Sequence, residues 1–410
     1  MPFVMLREIA ETRNEKASTT TPFGTTPFSR LGAFPVGVGA TGFIIAPMTK
    51  KRLNRHSPQP ESASAAAESR AALLRTLLPE GVPALWCPPL THYDDGGAVD
   101  ARRIAAHFRH LSRCVRGFLV AGSTGDGWEL SPEERRQVFA IALKEAPRLG
   151  LRLLLGALTP KTSDAAALIR EDVDWIKSTV KERDTEKALA KARVCGFAVC
   201  PPRGKELRQG DLERDLASIL ELDVPTAVYQ LPQVTQNEVS PKVTSDLAAR
   251  FTNFILFKDT SGRDRWVLSG KERHGVFALR GAEGDYVRWF DRAGGPYNGF
   301  LLGASNCFAR ELYQVIEKIR GGRLAAARAL TKRLTAAGNE MGPLVRELPD
   351  GNPFTNANKA MDHFFAHGPE AAAVPPPRLH AGSRLPTEVI RAAGEILRRY
   401  ELMPGRGYLE

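Results

Sequence analysis

From residue 82 onward, short runs of apolar residues alternate with segments whose apolar positions recur every three to four residues. The runs cover residues 83–87, 117–121, 151–157, 194–200, 225–229, 254–258, 276–279 and 299–303. Each is too short for a helix and too uniformly apolar for a strand with one wet face, which predicts strands buried on both sides. The helix-period segments between most of them predict crossover connections. One begins at Pro132, with Ser131 as N-cap, proline at the first helical position and Glu134 three residues after the cap. Strict strand–helix alternation predicts a parallel sheet, and eight strands close it into a (β/α)8 TIM barrel. The competing open, doubly wound sheet would carry a GxGxxG turn after its first strand. The chain has none there, and Gly122-Ser123-Thr124-Gly125 follows the second strand instead.

The barrel is expected to span residues 76–308, followed by a C-terminal helical layer over 309–410 with helical stretches near 309–341, 356–365 and 386–401. The charged stretch 171–193 is expected to extend a helix outside the barrel. Residues 1–75 are rich in Ser, Thr, Pro, Gly and Ala without a sustained period, which predicts a disordered or loosely attached tail. Within it, residues 31–48 are uncharged and precede Lys50-Lys51-Arg52. Four glycines, two prolines and a threonine argue against a membrane span there. Glu8, Glu11 and Glu15 argue against a secretory signal or transit peptide.

With 43% hydrophobic and 25% charged residues over 410 positions, the chain reads as soluble and globular. The net charge of +11 raises a nucleic-acid reading, but the basic residues are interspersed with acids and form no stripe with aromatics. A positive field favours small anionic substrates instead. The five cysteines form no CxxC pair, and Cys87, Cys195 and Cys200 lie in or at the ends of apolar runs. They read as buried reduced thiols, consistent with a cytoplasmic location. The eight histidines do not form a metal-ligand pattern; His363 and His367 are four apart but have no third ligand nearby in sequence.

In a closed barrel every strand delivers its last residue to one face, so polar strand ends meet even when distant in sequence. These ends are Ser123 and Thr124, Tyr229, Lys258, Glu283 with Asp285, and Ser305 with Asn306. Lys258 closes the apolar run Asn253-Phe254-Ile255-Leu256-Phe257 and meets Asp259-Thr260-Ser261-Gly262. An amine so placed is poorly hydrated, and poor hydration favours the uncharged, nucleophilic form. The alternative is a lysine that snorkels to solvent or pairs with Asp259. A nucleophilic amine beside a phenol, with hydroxyls and loop amides to hold a carboxylate, suits imine formation with a 2-oxo acid.

Three segments carry a family resemblance. Gly122-Ser123-Thr124-Gly125-Asp126 is similar to a GTTGE or GSTGE turn, Tyr229-Gln230-Leu231-Pro232 to a YNxP segment, and Phe257-Lys258-Asp259-Thr260-Ser261-Gly262 to an xKDxSG segment. Together they resemble the dihydrodipicolinate synthase and N-acetylneuraminate lyase superfamily of class I, pyruvate-handling aldolases, over about residues 81–405. The resemblance implies that Lys258 forms the Schiff base and Tyr229 shuttles protons. It implies that Ser123 and Thr124 bind the substrate carboxylate, with Ser123 also relaying a proton to Tyr229. Gly122, Arg203, Gly303 and Ser305 complete the expected substrate-binding set. No metal or other cofactor is expected, because the protonated imine is itself the electron sink.

Two departures from the pattern bear on the substrate. Synthases that use aspartate semialdehyde carry an arginine two residues after the YNxP proline, where this chain has Val234, so a bidentate carboxylate clamp is lost. They also carry tyrosines after the fourth strand, where this chain reads Cys200-Pro201-Pro202-Arg203-Gly204. Arg203 either reaches an anionic substrate or is solvated. The expectation is therefore a lyase acting on pyruvate or a longer 2-oxo acid, making or cleaving a carbon–carbon bond or eliminating water. A 4-hydroxy-tetrahydrodipicolinate synthase is the nearest alternative. A barrel kept as a binding or regulatory protein, and a metal-dependent aldolase, are alternatives of other kinds. The resemblance also implies a homotetramer or homodimer.

Overall fold

A computed structural model describes residues 63–410; residues 1–62, including the 31–48 stretch and most of the expected tail, lie outside the described residues. The eight strands are β1 Leu85–Cys87, β2 Gly117–Val120, β3 Arg152–Gly156, β4 Val194–Val199, β5 Thr226–Gln230, β6 Phe254–Asp259, β7 Phe277–Arg280 and β8 Gly299–Leu301. All pair in parallel, and β8 pairs with β1 to close the ring. The apolar runs were thus strands buried on both faces, as their lack of alternation predicted.

The helices are α1 Ala63–Leu77, α2 Ala101–Leu111, α3 Pro132–Leu149, α4 Thr162–Val180, α5 Thr185–Lys191, α6 Gln209–Leu220, α7 Pro232–Thr235, α8 Pro241–Arg250, α9 Arg265–Leu268, α10 Tyr286–Trp289, α11 Ser305–Arg320, α12 Leu324–Arg346, α13 Pro353–His367 and α14 Thr387–Arg399. The start of α3 is the capping box expected from sequence: Ser131 Oγ accepts from Glu134 N–H and Glu134 accepts from Ser131 N–H. The charged stretch 171–193 does not extend one helix. Lys181 takes a left-handed conformation that ends α4, and the Asp184 side chain caps a separate α5.

Two expected boundaries shift. Residues 63–75, assigned to the tail, belong to α1, which packs against α8, β4 and β6. Arg70 on α1 is fully buried. Its guanidinium donates to the carbonyls of Phe254 (2.7 Å), Ala248 (2.6 Å), Phe251 (2.8 Å) and His274 at the foot of β6. An alanine-rich segment with no strong period gave no sign of this anchor, because the acceptors come from distant parts of the chain. At the other end, α11 is the eighth outer helix of the barrel, so the C-terminal layer proper comprises α12, α13 and α14. The single-turn α9 and α10 leave the sixth and seventh units short of outer helix, and α12 packs across α10 and α11.

Candidate active site

Tyr229 and Lys258 face each other in register on neighbouring strands β5 and β6. Both are buried, at 3% and 6% exposure. Lys258 Nζ lies over the Tyr229 ring, 3.7 Å from its centroid, a cation–π placement in which the phenol face receives the amine. The sequence alternative of a Lys258–Asp259 pair does not form. Successive strand residues point to opposite faces, and Asp259 accepts from Ser261 N–H at 2.9 Å and Tyr297 O–H at 3.3 Å. Burial raises the Asp259 carboxyl above its ordinary range, with Asp264 adding to the rise.

The lysine chain has room because residue 281 is glycine. A Cβ there would lie 2.9 Å from Lys258 Cε and 2.5 Å from Thr260 Oγ1. Two residues on, Glu283 accepts from Ala304 N–H at 3.0 Å and Tyr286 O–H at 2.8 Å. Burial pushes its carboxyl up, while these hydrogen bonds, Arg280 and Lys258 oppose the rise. Glu283 was legible as a strand-end acid but was not placed in the expected site; only the folded barrel shows its carboxyl within the field of the Lys258 amine. The thiols of Cys87 and Cys200, also within that field, are pushed up by burial. They are therefore neutral and poor nucleophiles.

The turn after β2 is a single 3-10 turn, Ser123–Gly125, bounded by Ala121 and Asp126 in the left-handed conformation. A non-glycine residue there is strained and marks a backbone held by its surroundings. Trp128 Nε1 donates to Ser123 Oγ at 2.9 Å. Indole N–H only donates, so the Ser123 oxygen is the acceptor and its own proton remains free for another partner. Trp128 was not anticipated from sequence, although it stands five residues after Ser123. Among the described residues the peptide N–H groups of Ser123 and Thr124 meet no acceptor. Thr124 is buried, and its Oγ1 lies 3.4 Å from where a Cβ at Gly303 would sit, which brings the turn to the end of β8. Gly122 is held against Leu119, whose side chain a Cβ at 122 would approach to 3.0 Å.

Two expected substrate-binding residues stand apart. Ser305 is fully buried, and its hydroxyl donates to the Trp86 carbonyl at 3.3 Å, which ties α11 to β1. Arg203 is exposed on the loop after β4; its N–H donates to the Pro160 carbonyl at 2.9 Å. Asn306, beside Ser305, instead holds the loop after β1, donating to Pro88 O and accepting from Leu90 N–H.

Among the described residues, one group has donor atoms close enough to share a metal ion: His92, His107 and Asp362, all within 4.8 Å. Most of its polar atoms already have partners, whereas Asp362 Oδ1, 3.4 Å from His107 Nε2, accepts no hydrogen bond among the described residues. His92 Nε2 and His107 Nδ1 share a hydrogen bond of 3.0 Å, and His107 Nε2 lies 3.1 Å from the Asn306 carbonyl. Asp362 accepts from Tyr408 O–H at 3.0 Å and Arg103 Nη2 at 3.3 Å. Burial lowers both histidines, so they are neutral. A dication would lie against the Arg103 guanidinium. The cluster reads as a hydrogen-bonded joint between α2, α13 and the chain end. His363, paired with His367 in the sequence, contacts the Ala371 carbonyl at 2.8 Å through Nε2.

A closed parallel ring of eight strands with a buried lysine at a strand end, and a turn after β2 whose amides meet no acceptor among the described residues, defines the class, a (β/α)8 barrel. No family model matches the chain. Among curated proteins it is similar to the 4-hydroxy-tetrahydrodipicolinate synthase of Methanospirillum hungatei, 26% identical over 255 residues, covering 61% of this chain and 80% of that one. The synthase of Bartonella quintana is 25% identical over 188 residues, 45% of this chain; the chain spans only 58% of that relative's length. Among solved structures, YagE from E. coli K12, a prophage protein of the dihydrodipicolinic acid synthase family solved with pyruvate, superposes with a TM-score of 0.61 at 20% identity, covering 78% of this chain and all of that one. The chain is thus similar in sequence to curated 4-hydroxy-tetrahydrodipicolinate synthases and shares the barrel fold of solved proteins of the dihydrodipicolinate synthase family.

Proposed function

We propose that this protein is a lyase that works by class I chemistry on pyruvate or a longer 2-oxo acid. The Lys258 amine attacks the C2 carbonyl, and the carbinolamine loses water to give a protonated imine. The C4 hydroxyl then loses its proton and becomes the carbonyl of a departing aldehyde as the C3–C4 bond breaks and its electron pair enters the imine to give an enamine. Protonation at C3 and hydrolysis of the imine release pyruvate and free Lys258, and the reverse sequence forms the bond. Tyr229 carries protons to and from the carbinolamine and the substrate hydroxyl. The Ser123 and Thr124 hydroxyls and their unpaired amides receive the carboxylate. No metal or other cofactor is required in this scheme. The observation that carries the reading is the Lys258 amine, enclosed by the barrel and seated over the Tyr229 ring at 3.7 Å.

Synthesis of 4-hydroxy-tetrahydrodipicolinate ranks second. Val234 on α7 packs against the hydrophobic core and offers no carboxylate clamp, and Arg203 is exposed. A homotetramer or homodimer in the cytoplasm belongs to the same proposal; among the described residues no helix is long and apolar enough to cross a membrane.

Incubation with pyruvate and borohydride followed by intact mass measurement tests the reading. A stable adduct that disappears in Lys258→Ala supports it, and no adduct at saturating pyruvate favours a barrel kept as a binding protein. A panel of 2-oxo-3-deoxy sugar acids, sialic acid, 4-hydroxy-2-oxoglutarate and aspartate semialdehyde ranks the substrates, with weak turnover expected for the semialdehyde.

A further inference from the structure

The turn Ser123–Gly125 is not held by the barrel alone. Asn352, the N-cap of α13, accepts from Thr355 N–H at 2.9 Å and donates through Nδ2 to the Ser123 carbonyl at 3.2 Å. Thr355, fully buried, donates its hydroxyl to the carbonyls of Thr124 at 3.1 Å and Ser123 at 3.3 Å. One turn further, Lys359 Nζ pairs with Asp126 Oδ2 at 3.1 Å, both side chains being buried. Tyr93 O–H donates to the same oxygen at 3.0 Å, and the Lys359 amine lies 4.5 Å from the centre of the Tyr93 ring. The spacing 352, 355, 359 puts the three side chains on one face of α13. From the β1 side, Thr91 Oγ1 donates to the Gly125 carbonyl at 2.7 Å.

We infer that α13 of the C-terminal layer is the backing that orients the carboxylate-binding turn, with Asn352, Thr355 and Lys359 as positioning residues. The inference rests on the reading of Lys258 and the turn given under Proposed function. In a planar trans peptide the carbonyl of one residue and the N–H of the next point in opposite directions. Tying the Ser123 carbonyl to α13 therefore turns the Thr124 N–H away from the helix, and that N–H has no acceptor among the described residues. The Lys359–Asp126 pair anchors the far end, where Asp126 is held left-handed at φ 58°. A carboxylate arriving at the turn meets donors already oriented, so the ordering cost is met by the fold rather than at binding. The C-terminal layer thereby acts on ligand binding without touching the ligand.

The test uses the full chain and two carbonyl probes, pyruvate and hydroxyacetone, the second lacking a carboxylate, each trapped on Lys258 by borohydride. Thr355→Val keeps the shape and removes the donor. It is expected to raise the pyruvate concentration for half-maximal trapping about tenfold, the equivalent of one buried hydrogen bond. Maximal trapping and the hydroxyacetone response should stay unchanged, and Thr355→Ser should restore the wild-type value. Asn352→Ser keeps an oxygen for the cap but does not reach the Ser123 carbonyl, and should raise the pyruvate value in the same selective way. Should Thr355→Val fail to fold, Asn352→Ser decides. Unchanged half-saturation in the folded variants, or equal losses with both probes, overturns the inference while leaving the imine reading intact. Failure of the wild-type protein to trap pyruvate overturns the imine reading, and the inference falls with it.

Discussion

Gly281 makes way for Lys258: a Cβ at position 281 would stand 2.9 Å from Lys258 Cε, closer than carbon atoms in contact tolerate. Gly281→Ala is therefore expected to push the amine off the Tyr229 ring. Because small misplacements of a reacting group cost up to about a hundredfold in rate, turnover with the best substrate should fall about tenfold to a hundredfold. Steady-state kinetics beside thermal melting checks this; wild-type turnover in the variant would show that the lysine has room to spare.

Tyr229 offers the amine both a ring face and a hydroxyl, and the two are separable. Tyr229→Phe keeps the ring under Lys258 but removes the proton carrier. Trapping of the pyruvate imine should persist at long incubation, whereas turnover should drop about a hundredfold or more. Equal retention of both would assign proton transfer to another group, with Glu283 the next to be replaced.

Arg70 is the anchor of α1, and burial lowers its guanidinium to about 10 without removing its charge at neutral pH. Arg70→Met fills much of the same space but strands the carbonyls of Phe254, Ala248, Phe251 and His274. The expected loss is about 3 kcal/mol of folding stability, read as a lower denaturant midpoint. The KM for the 2-oxo acid should not change, since the anchor lies at the opposite end of the strands from Lys258.

His363 is lowered to about 4 by burial, with His367 and Arg103 adding to the effect. A histidine whose folded pKa lies below its unfolded value is neutral in both states above pH 6.5. Between 6.5 and about 4 the unfolded chain takes up a proton that the native chain refuses. Stability should therefore fall on acidification by about 1.4 kcal/mol per pH unit from this group, levelling off below pH 4. Urea titrations at pH 7.5, 6 and 5 comparing wild type with His363→Gln should show a shallower fall in the variant; parallel curves would contradict the assignment.

Local sequence determined the eight strands and their order, because an apolar run too short for a helix can only be buried as a strand between neighbours. It also determined the α3 cap, whose partners lie three residues apart, and the approach of Tyr229 and Lys258, because strand ends in a closed parallel barrel share one rim. Tertiary structure alone decided which polar groups at that rim are free. Ser305 turns its hydroxyl to the Trp86 carbonyl, Arg203 stays exposed, and Asn352, Thr355 and Lys359 reach back across more than 220 residues to the turn after β2. Hydrogen bonds and ion pairs form between groups that packing brings within about 3 Å. A residue's neighbours in sequence specify its element and face, whereas its partners are chosen by elements packed against it from elsewhere in the chain.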